Sequence, residues 1–436
     1  MDFISRVYRS SLFRKSFVYV FCDGINRAIP FLLLPFITHY LTPSDYGVVT
    51  NFSVYMSIMA VFCYSCTIGA VPVMFVKLDR ESMKKYVSSV VLLNTIAQLI
   101  CGVVSIVING FVYKALNISP AFQCLAFIGV WFAGITFINM VLWRCEEKPL
   151  SFGIYQISQS ALNAVSTVIF VIVLLLGWKG RIYSMMLATI SFGILSIFVL
   201  IRRGYLSLSI DKRYMKQVMF FALPLVPHAL SFWFKGGVDK ILLTNMVGLS
   251  SNGLYSVALT WGSVVAMFLT AFNNSYAPYL YQHLAKFDKD KEGTIHEQRK
   301  MVKLIWGIIA LTGVFIAVMY FVSHLLIKVM YAPIYHSSVV YLPWVMLAQF
   351  FQGVYLMFVC FAHYTFNTKG LGIITFTCSL VQVGVTYLMI YYMGPIGAAV
   401  SSALTGFAIC VLVARFGMKK YSLPWTYFFR NILKKR

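Results

Sequence analysis

Charged side chains inside membrane-length apolar runs are the part of this sequence able to do chemistry. The stretch Phe17–Leu41 carries Asp23, Asn26 and Arg27 among apolar residues. At about 1.5 Å of rise per residue, about 20 such residues cross the hydrocarbon of a bilayer. An ionised group at its centre costs roughly 2.5–3.5 kcal/mol on insertion scales, so such groups face a bundle interior or a wet cavity. Asp23 and Arg27 are four residues apart, on one helical face, where each partly neutralises the other. Lys235 and Asp239 repeat the spacing, with Lys240 following. Two such helices read as the halves of one polar chamber. Asp23 and Asp239 suit coupling to a proton or Na⁺, because a low dielectric raises a carboxylate's pKa, although a neighbouring cation opposes this. His228 and His363 also lie in apolar runs, as proton relays or as helix-packing hydrogen-bond partners.

The elements that must position these groups are membrane helices. With 60% hydrophobic and only 11% charged residues, the 436-residue chain falls outside the soluble globular class. Six spans are expected at Phe17–Leu41, Tyr46–Val76, Val87–Val112, Phe122–Leu142, Ile154–Leu176 and Ile182–Leu200. Six more follow at Val218–Val247, Leu254–Leu280, Leu304–Val329, Val339–Phe366, Ile373–Met393 and Ile396–Phe416. A net charge of +23 would suit nucleic acid, but its placement argues otherwise. Of 36 Lys and Arg, 29 lie in or at the edges of segments on the N-terminal side of the membrane and four on the other side. The remaining three, Arg27, Lys235 and Lys240, lie inside spans. This asymmetry places both termini in the cytoplasm and makes anionic lipid the partner of the basic loops. The first apolar run is too long for a cleavable signal peptide. Cys63 and Cys66 form a CxxC without further ligands nearby and read as buried apolar thiols; no metal site is expected.

Residues 1–15 mix Phe3, Ile4, Val7, Tyr8 and Leu12 with Arg6, Arg9 and Arg14, as an interfacial helix would. The expected organisation continues with an N-lobe over 16–207, a C-lobe over 208–418 and a basic cytoplasmic tail over 419–436. The lobes read as a repeat. Sliding the chain by 208 residues places Leu41 on Leu249 and Arg27 on Lys235, and each alignment ends in a polar turn without Lys or Arg. Pro43, Asp45 and Gly47 read as a tight turn before a helix opening at Tyr46. Six helices per lobe return each lobe to its starting side, so the repeat is parallel, about an axis along the membrane normal.

The run PFITHYLTPSDYGVV after a polar first helix, and VDKILLTNMVGLSSNGLYSVA later, carry a family resemblance. The chain resembles the O-antigen (Wzx-type) polysaccharide flippases of the multidrug/oligosaccharidyl-lipid/polysaccharide exporter superfamily. The resemblance covers nearly the whole chain and implies twelve helices in two pseudo-symmetric six-helix lobes around a central cavity. It implies an undecaprenyl-diphosphate-linked oligosaccharide as cargo, moved across the bacterial inner membrane from the cytoplasmic to the periplasmic leaflet. Polysaccharide polymerase and chain-length machinery are the further partners it implies, for a protein expected to be monomeric and without a cofactor.

For such a cargo, Arg27 and Lys235 are the first choice for the diphosphate and Lys240 the second, since cations in a dehydrated site make strong charge-assisted hydrogen bonds. The competing reading makes Asp23–Arg27 and Lys235–Asp239 structural ion pairs. Pro30 and Pro35, and Pro224 and Pro227 with Gly236 and Gly237, weaken the helical ladder where lobes would hinge, or merely kink it for packing. Two rivals remain. A drug exporter would share the architecture but prefer acids, where three cations stand against two acids. A polymerase or glycosyltransferase would want a large periplasmic loop. The Asp288-Lys289-Asp290 run mimics a metal-binding DxD, but its charge-rich loop reads as solvated.

Overall fold

The computed structural model describes residues 11–207, 210–290 and 293–425; the side chains at 11–17, 20, 27 and 368 are outside the described set. Among the described residues there is no strand, and twelve helices are long and apolar enough to cross a membrane. They are α1 (Ser11–Thr38), α2 (Pro43–Phe75), α3 (Arg80–Val107), α4 (Pro120–Cys145), α5 (Pro149–Val173) and α6 (Gly177–Arg202). The chain continues with α7 (Lys212–Met246), α8 (Leu249–Lys289), α9 (Ile295–Met330), α10 (Pro333–Tyr364), α11 (Lys369–Met393) and α12 (Ile396–Lys420). The protein is a multi-pass, all-helical membrane protein. More than half of the apolar stretch of α2, α10 and α12 is buried, against about a sixth for α3, α5, α7 and α9, whose apolar side chains are left for lipid.

The first compact unit runs to Trp233 and takes in Gly248–Gly253; the second comprises Phe234–Val247 and the chain from Leu254. In the first, α4 packs on α6 at a core that includes Val87, Ile138, Leu142 and Leu200, and α1 packs on α5. In the second, α12 packs on α10 and α11 around Leu280, Val302, Phe361 and Val413. The expected lobe boundary at 207/208 falls at residues 208–209, which are outside the described set, as are 1–10 of the expected interfacial segment and 426–436 of the tail.

Helix starts follow from local chemistry. Thr42 and Asp45 cap each other's backbone N–H groups at 3.2 and 3.0 Å, with Pro43 in the first turn. Pro43–Gly47 is therefore the opening of α2 and not a separate turn. Gly47 has a steric reason: a Cβ there would lie 2.2 Å from the Leu249 carbonyl oxygen. At Gly253 it would lie 1.9 Å from that of Pro43. Asn252 donates to the Asn51 side chain at 2.8 Å, and Asn51 donates to the Leu116 carbonyl at 2.9 Å, tying the same crossing.

Pro30 and Pro35 lie within α1, whereas α7 is interrupted by a 3₁₀ turn at Leu223–Leu225, where Pro224 denies the ladder a donor. α2 carries a π-helical stretch at Val61–Ser65 and α5 another at Val168–Val173.

Candidate functional site

In the second unit, α7 presents Lys235, Asp239 and Lys240 to α8, α10, α11 and α12. Lys235 donates through Nζ to Gln352 Oε1 at 3.0 Å, and Gln382 donates to the Lys235 carbonyl at 3.3 Å. Asp239 is 3% exposed; its Oδ2 accepts from the Tyr255 hydroxyl at 2.8 Å and its Oδ1 from the Lys240 backbone N–H at 2.8 Å. Tyr255 reaches Ser402 at 3.2 Å, and Thr386 and Ser401 share a hydrogen bond of 2.7 Å nearby. The expected Lys235–Asp239 ion pair is thus replaced by two separate contacts. Facing helices supply an amide acceptor for the ammonium and a phenol donor for the carboxylate. Lys235 is left with a neutral partner, which leaves its charge free to attract an anion.

In the first unit, the Arg27 side chain is outside the described set, so its expected pairing with Asp23 is too. The Asp23 carboxylate meets Arg144 of α4 at 3.7 Å. Asn26 accepts a hydrogen bond from Ser160 of α5. Ser160 belongs to a row of polar residues, Gln156, Ser160, Asn163 and Thr167, spaced to share one face of α5. Arg181 of α6 donates to Asn163 at 2.6 Å and Thr167 at 2.9 Å. Arg181 precedes the apolar run Ile182–Leu200, and nothing in its sequence neighbourhood announces this seat.

His228 is exposed and stands edge-on to Phe232 at 5.0 Å; His363 is exposed in the last turn of α10. Pro224 and Pro227 are exposed on α7, and a Cβ at Gly236 would meet nothing within 4 Å, whereas Gly237 is buried. Cys63 and Cys66 are buried in α2. Asp288 accepts hydrogen bonds from Tyr364 at 2.6 Å and Tyr421 at 2.9 Å beside a cleft of about 700 Å³. Asp290 accepts the Gly293 backbone N–H at 2.8 Å, so one acid of the DxD run ties α8 to the ends of α10 and α12 and the other serves its own loop.

A second charged cluster escaped the sequence. Glu146, just beyond α4, is met by Lys148 at 2.9 Å, Arg203 at 3.0 Å and Arg80 at 3.8 Å, and accepts from Tyr205 at 2.5 Å. Arg80 also lies 3.9 Å over the Tyr205 ring. Burial pushes the Glu146 carboxyl up, but hydrogen bonds from Tyr205, Lys148 and Arg203 outweigh it and hold the group below its ordinary range. Burial and the same carboxylate push the Tyr205 phenol up to about 12. The start of α3 and the ends of α4 and α6, remote in sequence, meet here, and no local spacing announces it.

Twelve apolar spans with cations and amides on their packed faces make this an all-helical, multi-pass membrane fold. The structure superposes on an inward-facing multidrug-resistance MATE family transporter of the MOP superfamily with a TM-score of 0.68, covering 90% of this chain and 94% of that one at 13% identity. It superposes on the lipid II flippase MurJ, in an inward closed conformation, with a TM-score of 0.66, covering 93% and 87% at 15% identity. Among proteins known by sequence, Lsg locus protein 1 of Haemophilus influenzae is 24% identical over 63% of this chain and 67% of its own length. The family profile described as polysaccharide biosynthesis protein matches residues 12–284, and the chain belongs to that family.

Proposed function

We propose that the protein is a flippase that moves an undecaprenyl-diphosphate-linked oligosaccharide, such as an O-antigen repeat unit, from the cytoplasmic to the periplasmic leaflet of the bacterial inner membrane by alternating access. The observation that carries the reading is Lys235, held by a neutral amide inside an apolar helix of a polysaccharide-biosynthesis family member. A cation kept there without a carboxylate suits a cargo that brings its own negative charge. Lys240 on the same helix and Arg27, the counterpart of Lys235 in the repeat, are the further cations assigned to the diphosphate. Asp239 and Asp23 are the candidate groups for coupling to a proton or Na⁺ gradient, with His228 and His363 as relays. Pro30, Pro35, Pro224, Pro227, Gly236 and Gly237 supply the bending. The glycan crosses the polar interior while the lipid tail stays in the membrane. The protein works as a monomer, without catalysis, beside the polymerase and chain-length machinery that consume its product.

The likeness to multidrug transporters favours a second reading, export of a small molecule. One experiment separates the two. The gene is placed in a strain lacking its native flippase and supplied with the matching glycan locus, and surface glycan is quantified. Wild type should restore display. Arg27→Ala and Lys235→Ala, at matched membrane abundance, should each lower it about tenfold or more, as expected for loss of a charge-assisted contact. Display unaffected by either substitution makes the cations structural. Failure of wild type moves the exporter reading ahead.

A further inference from the structure

Arg181 stands apart from the other cations near the outer ends of the helices. Lys179, two residues earlier, is exposed, 5.8 Å over the ring of Trp178. Arg181 turns inward, half-buried, and seats Nη1 on the Asn163 side-chain oxygen at 2.6 Å and the Thr167 hydroxyl at 2.9 Å. Thr167 in turn donates to the Asn163 backbone carbonyl at 2.6 Å, which leaves its hydroxyl oxygen free to accept from the arginine. Both partners are neutral. Among the described residues no carboxylate forms an ion pair with Arg181, and Nε and Nη2 make no hydrogen bond. A guanidinium has five donors in a planar fork, and the Nε–Nη2 edge matches two oxygens of a carboxylate or phosphate.

The seat is built rather than incidental. Asn163 and Thr167 are the outer members of the polar row on α5, with Ser160, bound to Asn26, one turn further in. Thr167 is fully buried and directly precedes the π-helical stretch Val168–Val173, a local break in the ladder of the kind that often marks functional sites. The apolar residues Ile154, Val165 and Val168 of the same helix are exposed instead, so α5 separates a lipid face from a polar one.

We infer that Arg181, positioned by Asn163 and Thr167, is an oxyanion-binding site at the outer end of the α5 polar row, additional to the cations proposed above for the diphosphate. Its ligand is a carboxylate or phosphate, brought either by the cargo or by an anionic phospholipid of the outer leaflet. As a subsite for cargo it rests on the flippase reading; as an anion site it does not.

The test uses full-length protein in nanodiscs of neutral phosphatidylcholine, titrated separately with inorganic diphosphate and with glucuronate. Arg181→Gln should weaken binding of at least one anion about tenfold or more. Arg181→Lys, which keeps the charge but not the fork, should lose less, and Asn163→Ala should lose a few-fold through the seat, roughly one neutral hydrogen bond. A parallel series replaces part of the neutral lipid with phosphatidylglycerol. If this suppresses anion binding to wild type, the natural ligand is a headgroup; if binding persists, it is the cargo. Variants that melt earlier yet bind both anions as wild type does would make Arg181 a tether between α5 and α6 and overturn the site. So would the absence of any Arg181-dependent binding of diphosphate, glucuronate or phosphatidylglycerol. The titration requires no translocation, so a wild type that fails to display glycan sinks the flippase reading and leaves this result standing.

Discussion

At the scale of single residues, Glu146 shows how a charge is kept where several helices end. One carboxylate serves Arg80, Lys148, Arg203 and Tyr205, and at 12% side-chain exposure it is largely removed from water. Removing it leaves Arg203 buried without a counter-charge, so Glu146→Gln should destabilise the protein by about 2 kcal/mol. The pH dependence has a definite sign. The folded carboxyl lies below its ordinary value of 4.5, so its stabilisation is fully present above that value and is lost as pH falls through the lower, folded one. Thermal unfolding in detergent should therefore show a fall on acidification that Glu146→Gln makes shallower. An identical pH profile in the variant would mean other carboxylates dominate. None of this was legible in the sequence, because Arg80 opens α3, Glu146 follows α4 and Arg203 follows α6, each far from the others along the chain. Lys235 and Asp239 were legible as interior charges from the apolar run around them. Their partners were not, since Gln352 and Tyr255 come from other helices and nothing in the four-residue spacing competes with that.

At the scale of elements, twelve spans were readable because about 20 apolar residues between charged loops leave little choice of structure in lipid. Their ends were less so. Pro43, Asp45 and Gly47 have the composition of a turn, but Thr42 and Asp45 turn them into a helix start. Gly47 and Gly253 then carry a role that turn chemistry hides, the close approach of two helix openings. Gly47→Ala would place a methyl 2.2 Å from a backbone oxygen, and Gly253→Ala would do so at 1.9 Å, where no side chain can move aside. The first turns of α2 and α8 would have to separate, straining the Asn252–Asn51 hydrogen bond. Each substitution should cost about 1–3 kcal/mol, the usual range for overpacking, measured as a lower unfolding temperature of the purified protein. Unchanged stability would show that the crossing yields freely. Two asparagines and two glycines at different depths of the sequence do not reveal that they meet.

At the scale of the whole molecule, orientation decides the direction of any transport, and it rests on charge. The α8–α9 connection and the helix ends that flank it hold Lys286, Lys289, Lys291, Arg299, Lys300 and Lys303, while the turn between α7 and α8 holds no Lys or Arg. Basic loops are retained in the cytoplasm, so these two connections belong on opposite sides of the membrane. Ser250 and Lys289 are both exposed, at opposite ends of α8, and make convenient reporters. In a background with the exposed Cys124 replaced by Ser, Ser250→Cys should react with a membrane-impermeant maleimide once the outer membrane is opened. Lys289→Cys should react only after the inner membrane is breached as well. The same orientation puts the Glu146 cluster on the side of the basic connections and Arg181 toward the opposite end of α5. The reverse labelling would exchange those sides. The polar row would then end in Arg181 where cargo is loaded rather than where it leaves, and the proposed direction of flipping would fall with the charge rule that supports it.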